Sequence, residues 1–360
     1  HPGHELGRQV LGLDEAEEGD LRVRRRDHGV RPQRLAALED DPDRLAVLHE
    51  DAGDGGVGAD DGAERLGSAA RSFGVEIRTE AAVEHITVRN GAVTGVVLEG
   101  GTELRAPLVL TTVHPKLAFL QLLDRRDLPA DFVDDIERWH TRSGTVKINV
   151  AVDRLPEFSA KPGYDPEVHG GTIVLARSLD EVEGAFQDAV AGRPASRPFA
   201  DICIPSVFDR TLAPEGRHIV SMFTQWVPHG WAASPRPSEL ESYADTVVAT
   251  MEEVAPGFTD SIVHRTVIGP YEMEQTYGLV GGNIFHGELS PSQLFHMRPA
   301  PGWANFRTPI AGLYQAGSAT HGGGGVSGIP ALNAVRQIER DERRRRWRRR
   351  NVRPDAEPRL

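Results

Sequence analysis

The chain has 360 residues, 39% of them hydrophobic, one cysteine and a formal net charge of −12. That length suffices for two domains with a sizeable core. A lone Cys203 excludes an internal disulfide framework and a CxxC redox pair, the acidic balance argues against general nucleic-acid binding, and no apolar run reaches the roughly 18 residues of a spanning helix.

The start, His1-Pro-Gly-His-Glu5, shows neither a secretory signal nor an initiator Met. The expectation is a cut or mis-assigned beginning and a cytoplasmic protein. Residues 1–54 are rich in Asp, Glu, Arg and Gly, with Leu35-Ala-Ala-Leu38 and Leu45-Ala-Val-Leu48 as the only apolar clusters. All three lysines, Lys116, Lys147 and Lys161, come later. This stretch is expected to be disordered, or a frameshifted product of a GC-rich gene. Gly53-Asp-Gly-Gly-Val-Gly58 spells GxGxxG. A dinucleotide fingerprint must follow directly on a strand, and His49-Glu-Asp-Ala52 intervenes, so a turn before a helix is the preferred reading.

A helix is predicted over 59–73, with Leu66, Ala69 and Ala70 inward and Gly74 as its stop. Val75–Thr79 reads as a short strand. Val83–Val88 and Val93–Leu98 alternate around Asn90-Gly91, a hairpin signal, and Leu108–Leu110 is an apolar strand. Helical pieces are expected over 115–123 and 130–140, and strands over 144–152, 171–176, 200–207, 217–226 and 263–268. A helix over 238–254 carries Leu240, Tyr243, Val247, Val248, Met251 and Val254 on one stripe.

Near the end, an apolar run Leu313–Ala316 leads into Gly317-Ser-Ala-Thr-His-Gly-Gly-Gly-Gly-Val-Ser-Gly328 and then an apolar helical pattern. Strand, glycine loop and helix start together make an anion site: free backbone N–H groups, a favourable dipole and no Cβ to block approach. A flexible linker would not be framed by a buried strand and an apolar helix. HExxH, GxSxG and Walker A lysine patterns are missing, and no spaced His/Asp cluster suggests a metal.

This segment resembles the flavin-contacting end of phytoene desaturase-like FAD-dependent oxidoreductases, in particular the pyridine nucleotide-disulfide oxidoreductase domain-containing protein 2 group. Gly317, Ser318, His321, Gly323, Gly324, Gly325, Val326, Gly328 and Asn333 fit that family's pattern, with Gly322 where proline is usual. Tyr277–Pro299 is similar to its GGNIFHG and QLF-x-x-RP blocks, Gly144–Phe158 to its KIN strand, and Gly74–Thr79 with the hairpin after it to a fourth block.

The resemblance implies an α/β fold with an α+β insertion: an incomplete two-domain FAD-binding fold, glutathione reductase-like and amine oxidase-like, with an antiparallel substrate domain. Residues 55–115 and 300–338 would be the FAD-binding domain, 116–299 the substrate domain and 339–360 a basic disordered tail. The N-terminal fingerprint would be missing, making the chain truncated. FAD is the implied cofactor, held by Val83, Gly317, Ser318, His321, Gly323, Gly324, Gly325, Val326 and Gly328. His321, His286 and Lys147 are catalytic candidates, although structural roles for the two histidines are at least as well supported. Glu288 has a similar status.

The activity so implied is removal of hydride from an apolar or amine-like small molecule, with an unidentified electron acceptor. The alternatives are a flavin-free remnant or interaction protein, and an adaptor binding nucleic acid or a membrane surface through the arginine run 340–350.

Overall fold

The computed structural model describes residues 46–48, 59–142, 144–325 and 327–351, with side chains described for 66–142, 144–325 and 327–347. The described residues all fall within one compact unit. Residues 1–44, and the Gly53–Gly58 motif, lie outside the described residues.

Strand β1 (Ala46–Leu48) is followed by helix α1 (Ala59–Ser72). A meander comes next, β2 (Val83–Arg89), β3 (Ala92–Leu98) and β4 (Glu103–Arg105), paired antiparallel in that order. Its first turn is the predicted Asn90-Gly91, where both residues take positive φ (52° and 71°) as a type I′ hairpin turn requires. Strand β5 (Val109–Thr111) leaves the meander and leads into two helices, α2 (Pro115–Leu120) and α3 (Ala130–Glu137).

Strand β6 (Gly144–Val152) opens the second sheet. It is joined by β7 (Ile173–Leu175), helix α4 (Leu179–Val190), β8 (Phe199–Cys203), β9 (His218–Val227), helix α5 (Pro237–Val254) and β10 (Ile262–Ile268). The sheet is antiparallel throughout, in the order β10-β6-β9-β8-β7. Helix α6 (Pro270–Tyr277), strand β11 (Leu313–Gln315) and helix α7 (Ile329–Asn351) complete the fold. β11 pairs parallel with β5, and β5 with β1, so the first and last parts of the unit share one small parallel sheet.

Period-two alternation sends Val146, Ile148, Val150 and Val152 of β6 to one face, where each is fully buried. They pack with Val220, Met222, Ala200 and Ile202 of neighbouring strands and with Leu240, Tyr243, Val247, Val248 and Met251 of α5, the stripe read from its sequence. A second core joins the meander, β5, α2 and α3 around Val109, Phe119, Phe132, Ile136 and Leu313. Leu110 and Tyr314 point the other way, onto Ala334 and Ile338 of α7.

Several expectations need correction. Val75–Thr79 forms no strand: it finds no ladder partner among the described residues, and a short alternation without one does not hold extended pairing. Leu66 is 70% exposed and Ala69 is also outward, so the predicted inner face of α1 is not a core face. Helices α4 and α6 went unforeseen. Residues 46–48, within the stretch 1–54 expected to be disordered or frameshifted but an apolar cluster that also reads as a possible strand, form a strand.

The arginine run is not a disordered tail as far as Asn351. It continues α7, supported by Glu339–Arg343 and Glu342–Arg346 pairs one turn apart and by arginine's good helix propensity. Residues 352–360 lie outside the described residues.

Candidate functional site

The glycine loop leaves the carboxyl end of β11, beside that of β5. In open α/β sheets this is the edge where ligands bind. A Cβ on Gly317 would collide with the Thr112 carbonyl oxygen, so only glycine lets the loop pass this close to the adjoining strand. Further on the loop faces open space. Gly323, Gly325 and Gly328 take φ of 69°, 94° and 66°, and nothing lies within 4 Å of a Cβ built on any of them. Gly324 faces inward, its Cβ direction meeting the Phe285 ring at 3.0 Å. Val326 lies outside the described residues. Ser318 is half-buried and His321 exposed.

Under this loop sit buried polar atoms without partners. Thr111 and Gln315 are register neighbours at the ends of β5 and β11, both buried, and they face the same side of the sheet. The Thr111 hydroxyl and both polar atoms of the Gln315 amide make no hydrogen bond. Three residues beyond Thr111, His114 is fully buried and caps α2, its Nδ1 accepting the Lys116 N–H at 3.1 Å. In the neutral ring the proton therefore sits on Nε2, a donor with no acceptor. Burial, reinforced by His286, Lys116 and Arg298, holds His114 well below the ordinary histidine range.

His286 faces it, with ring centroids 5.6 Å apart. Its backbone takes the left-handed conformation (φ 55°), its carbonyl accepts Trp139 Nε1–H at 2.7 Å, and its own Nδ1 is buried without a partner. The following Gly287 is obligatory, because a Cβ there would enter the Trp139 indole. Burial first, then the charge of Arg298, lowers His286 to about 4. It is thus a neutral base at physiological pH.

Arg298 ties these parts together. It is 1% exposed and donates from Nε to Ser318 O at 3.0 Å, from one terminal nitrogen to Gln293 O at 3.0 Å, and from the other to Phe285 O. Its guanidinium also lies 5.2 Å from the Trp139 ring centroid. No carboxylate pairs with it among the described residues, and burial lowers it to about 10. A desolvated cation giving three of its donors to backbone carbonyls leaves a fixed positive potential beside the loop.

The structure therefore brings His286 to the glycine loop but leaves the other predicted residues in different settings. Lys147, half-buried on β6, bonds the Ser221 hydroxyl. Glu288 is engaged by the Arg142 guanidinium at 2.9 Å and backbone N–H at 2.8 Å. Val83 is half-buried in the β2 ladder opposite Leu98. Sequence reasoning missed Thr111, His114, Arg298 and Gln315. Two signals were available: His114-Pro115 directly after a strand is a helix-start pattern, and Gln315 is a polar residue inside an apolar run.

A parallel sheet ending in this loop, an attached meander and a separate antiparallel sheet define the class: the mixed helix-and-sheet fold of FAD-dependent oxidoreductases. Comparison supports it. An oxidoreductase structure from Methanosarcina mazei superposes with a TM-score of 0.51 at 18% identity, over 77% of this chain and 53% of that one. No family model matches the chain.

Among curated proteins, pyridine nucleotide-disulfide oxidoreductase domain-containing protein 2 of Rattus norvegicus is 42% identical over 295 residues, 80% of this chain and 50% of its own length. The neurosporene-forming phytoene desaturase of Cereibacter sphaeroides is 30% identical over 71% of this chain and 47% of that protein. The chain belongs to the phytoene desaturase-like FAD-dependent oxidoreductases, with the former group among its relatives. It spans about half the length of the curated relatives it matches.

Proposed function

We propose that this chain binds FAD along residues 317–328 and works as part of an FAD-dependent oxidoreductase that removes hydride from an apolar or amine-like substrate. The observation that carries this reading is the set of partnerless buried polar atoms on Thr111 and Gln315, at the carboxyl ends of β5 and β11, on His114 just beyond β5 and on His286 facing it. Each buried group left without a hydrogen bond costs about 1–3 kcal/mol. A polar ring system with acceptors and donors along its edge, set against them, would satisfy several at once.

The residues present fit that cofactor. The open backbone of Gly323, Gly325 and Gly328 would lie against it, with Ser318 and Gly317 nearer the strand and Val83 towards its adenine end. His114 Nε2–H offers a donor and His286 Nδ1 an acceptor. Arg298 contributes positive potential that favours negative charge in the neighbouring space. FAD, when bound, supplies the hydride-accepting chemistry. Among the catalytic candidates His286 is favoured over His321 and Lys147, being neutral, buried and beside Arg298.

Titration of the purified chain with FAD, followed by the change in the cofactor's visible absorption, tests the reading. Binding is expected, and Gly324→Val should weaken it about tenfold or more, because the new side chain would meet Phe285. A chain that takes up no FAD would favour the alternative, a flavin-free remnant or interaction protein.

A further inference from the structure

The antiparallel sheet has two faces of different character. One is the apolar core around Ile148, Met222 and Ile202. Opposite it, register places Lys147 of β6, Phe223 of β9 and Asp201 of β8 in a single row, all half-buried, flanked by Ile268 and Val174. Asn149 and Ser221 occupy the next row.

Lys147 and Asp201 carry opposite charges yet do not pair. Lys147 Nζ donates to the Ser221 hydroxyl, and no carboxylate reaches it among the described residues. An ammonium has three donors, so one hydroxyl leaves it short of acceptors. The Asp201 side chain has no hydrogen bond or ion pair among the described residues, and burial raises its carboxyl above the ordinary range. Lys147 is held below its ordinary range, also chiefly by burial. Both charges are thus partly desolvated, offset for Lys147 by the Ser221 hydroxyl and the nearby Cys203 and for Asp201 by no partner among the described residues, which is unfavourable unless something further pairs with them. Two inter-strand spacings, about 10 Å, separate their Cα atoms, with the Phe223 ring between.

We propose that this face binds a small molecule carrying both an acid and an amine, its carboxylate on Lys147 and Ser221, its ammonium on Asp201, and its apolar linker across Phe223. The inference rests on the reading of residues 116–299 as the substrate-binding part, and narrows "amine-like" to an amino acid with separated ends.

Calorimetric titration of the full chain with 6-aminohexanoate, hexanoate and hexylamine tests it. The first should bind most tightly, and Lys147→Met and Asp201→Asn should each weaken it about tenfold or more. Lys147→Met replaces a desolvated charge by an apolar chain of similar length, so its melting temperature should hold; Ser221→Ala, a smaller change, should weaken binding in the same direction. No binding of 6-aminohexanoate, or equal affinity in wild type and both charge variants, would overturn the proposal. Hexanoate binding as tightly as 6-aminohexanoate would overturn the role of Asp201. FAD uptake, measured separately by absorption, is expected to be unchanged in all three variants. Its failure in the wild type would count against the cofactor reading, and loss of amino-acid binding alone against this one.

Discussion

Arg298 holds the Phe285–Gln293 segment and the Ser318 turn in one arrangement through three backbone carbonyls. Replacing it by Met would relieve the cost of a buried cation but leave those carbonyls without donors. The second effect should win, since three charge-assisted bonds are lost, and unfolding free energy should fall by about 2–4 kcal/mol in a denaturant titration. Lysine should not restore the full value, because a point charge cannot reach three carbonyls in the planar geometry of a guanidinium.

The paired histidines should make stability depend on pH. Both are held below their unfolded values; for His286, lowered to about 4, the unfolded chain takes up a proton between about 6.5 and about 4 that the folded chain does not, and His114 acts in the same direction. Stability should therefore decrease as pH falls through that window, by up to about 1.4 kcal/mol per pH unit for each ring. His286→Asn keeps a residue type that tolerates positive φ and removes one titrating ring, so the variant's stability should fall less steeply over the same interval. Equal slopes would show that His286 titrates normally.

Residues such as these were only partly legible in the sequence. The glycine spacing pointed to the loop, but the groups beneath it are gathered from several segments, Thr111 and His114 from about two hundred residues earlier in the chain. Thr111 and Gln315 look unremarkable until parallel pairing places them side by side. Arg298 reads as one of many arginines until its burial is known.

At the level of elements, alternation and stripe periodicity found β6, β9, β10 and α5, whose apolar faces are continuous. Helix α4 was harder. Ser178 caps it by accepting the Glu181 N–H, yet Leu179 and Val190 are exposed, so it shows little of the buried stripe that marks a helix. Helix α6 is short and begins with Pro270, its start fixed by the Glu272 side chain accepting the Gly269 N–H. In the arginine run, Glu–Arg pairs one turn apart support a helix despite the basic composition.

Helix α7 is fastened by Asp341, which accepts from the Arg307 guanidinium, from the Tyr314 hydroxyl at 3.0 Å and from the Gln337 amide at 3.2 Å. Burial first, and Asp341 after it, push the Tyr314 phenol up to about 12. Asp341→Asn should lower that value in a spectrophotometric titration. It should also destabilise the chain by about 1–2 kcal/mol, a modest figure because the Arg307 side chain remains partly exposed. Gly317→Ala should destabilise by about 1–3 kcal/mol, since the new methyl would press on the Thr112 carbonyl.

For the whole molecule, the parallel sheet built from β1, β5 and β11 joins segments distant in sequence, and the antiparallel sheet lies between them in chain order. That division is visible in the sequence as a change from glycine-punctuated strands to long alternating ones. No helix among the described residues is long and apolar enough to cross a membrane. The central claim is that the loop over residues 317–328 and the unpaired atoms below it form one cofactor cradle.

A crystal structure of the chain soaked with FAD tests this most directly. The account predicts the isoalloxazine against the loop, with His114 Nε2 or the Gln315 amide within hydrogen-bonding distance of it. FAD bound elsewhere, with those atoms still lacking partners, would contradict it.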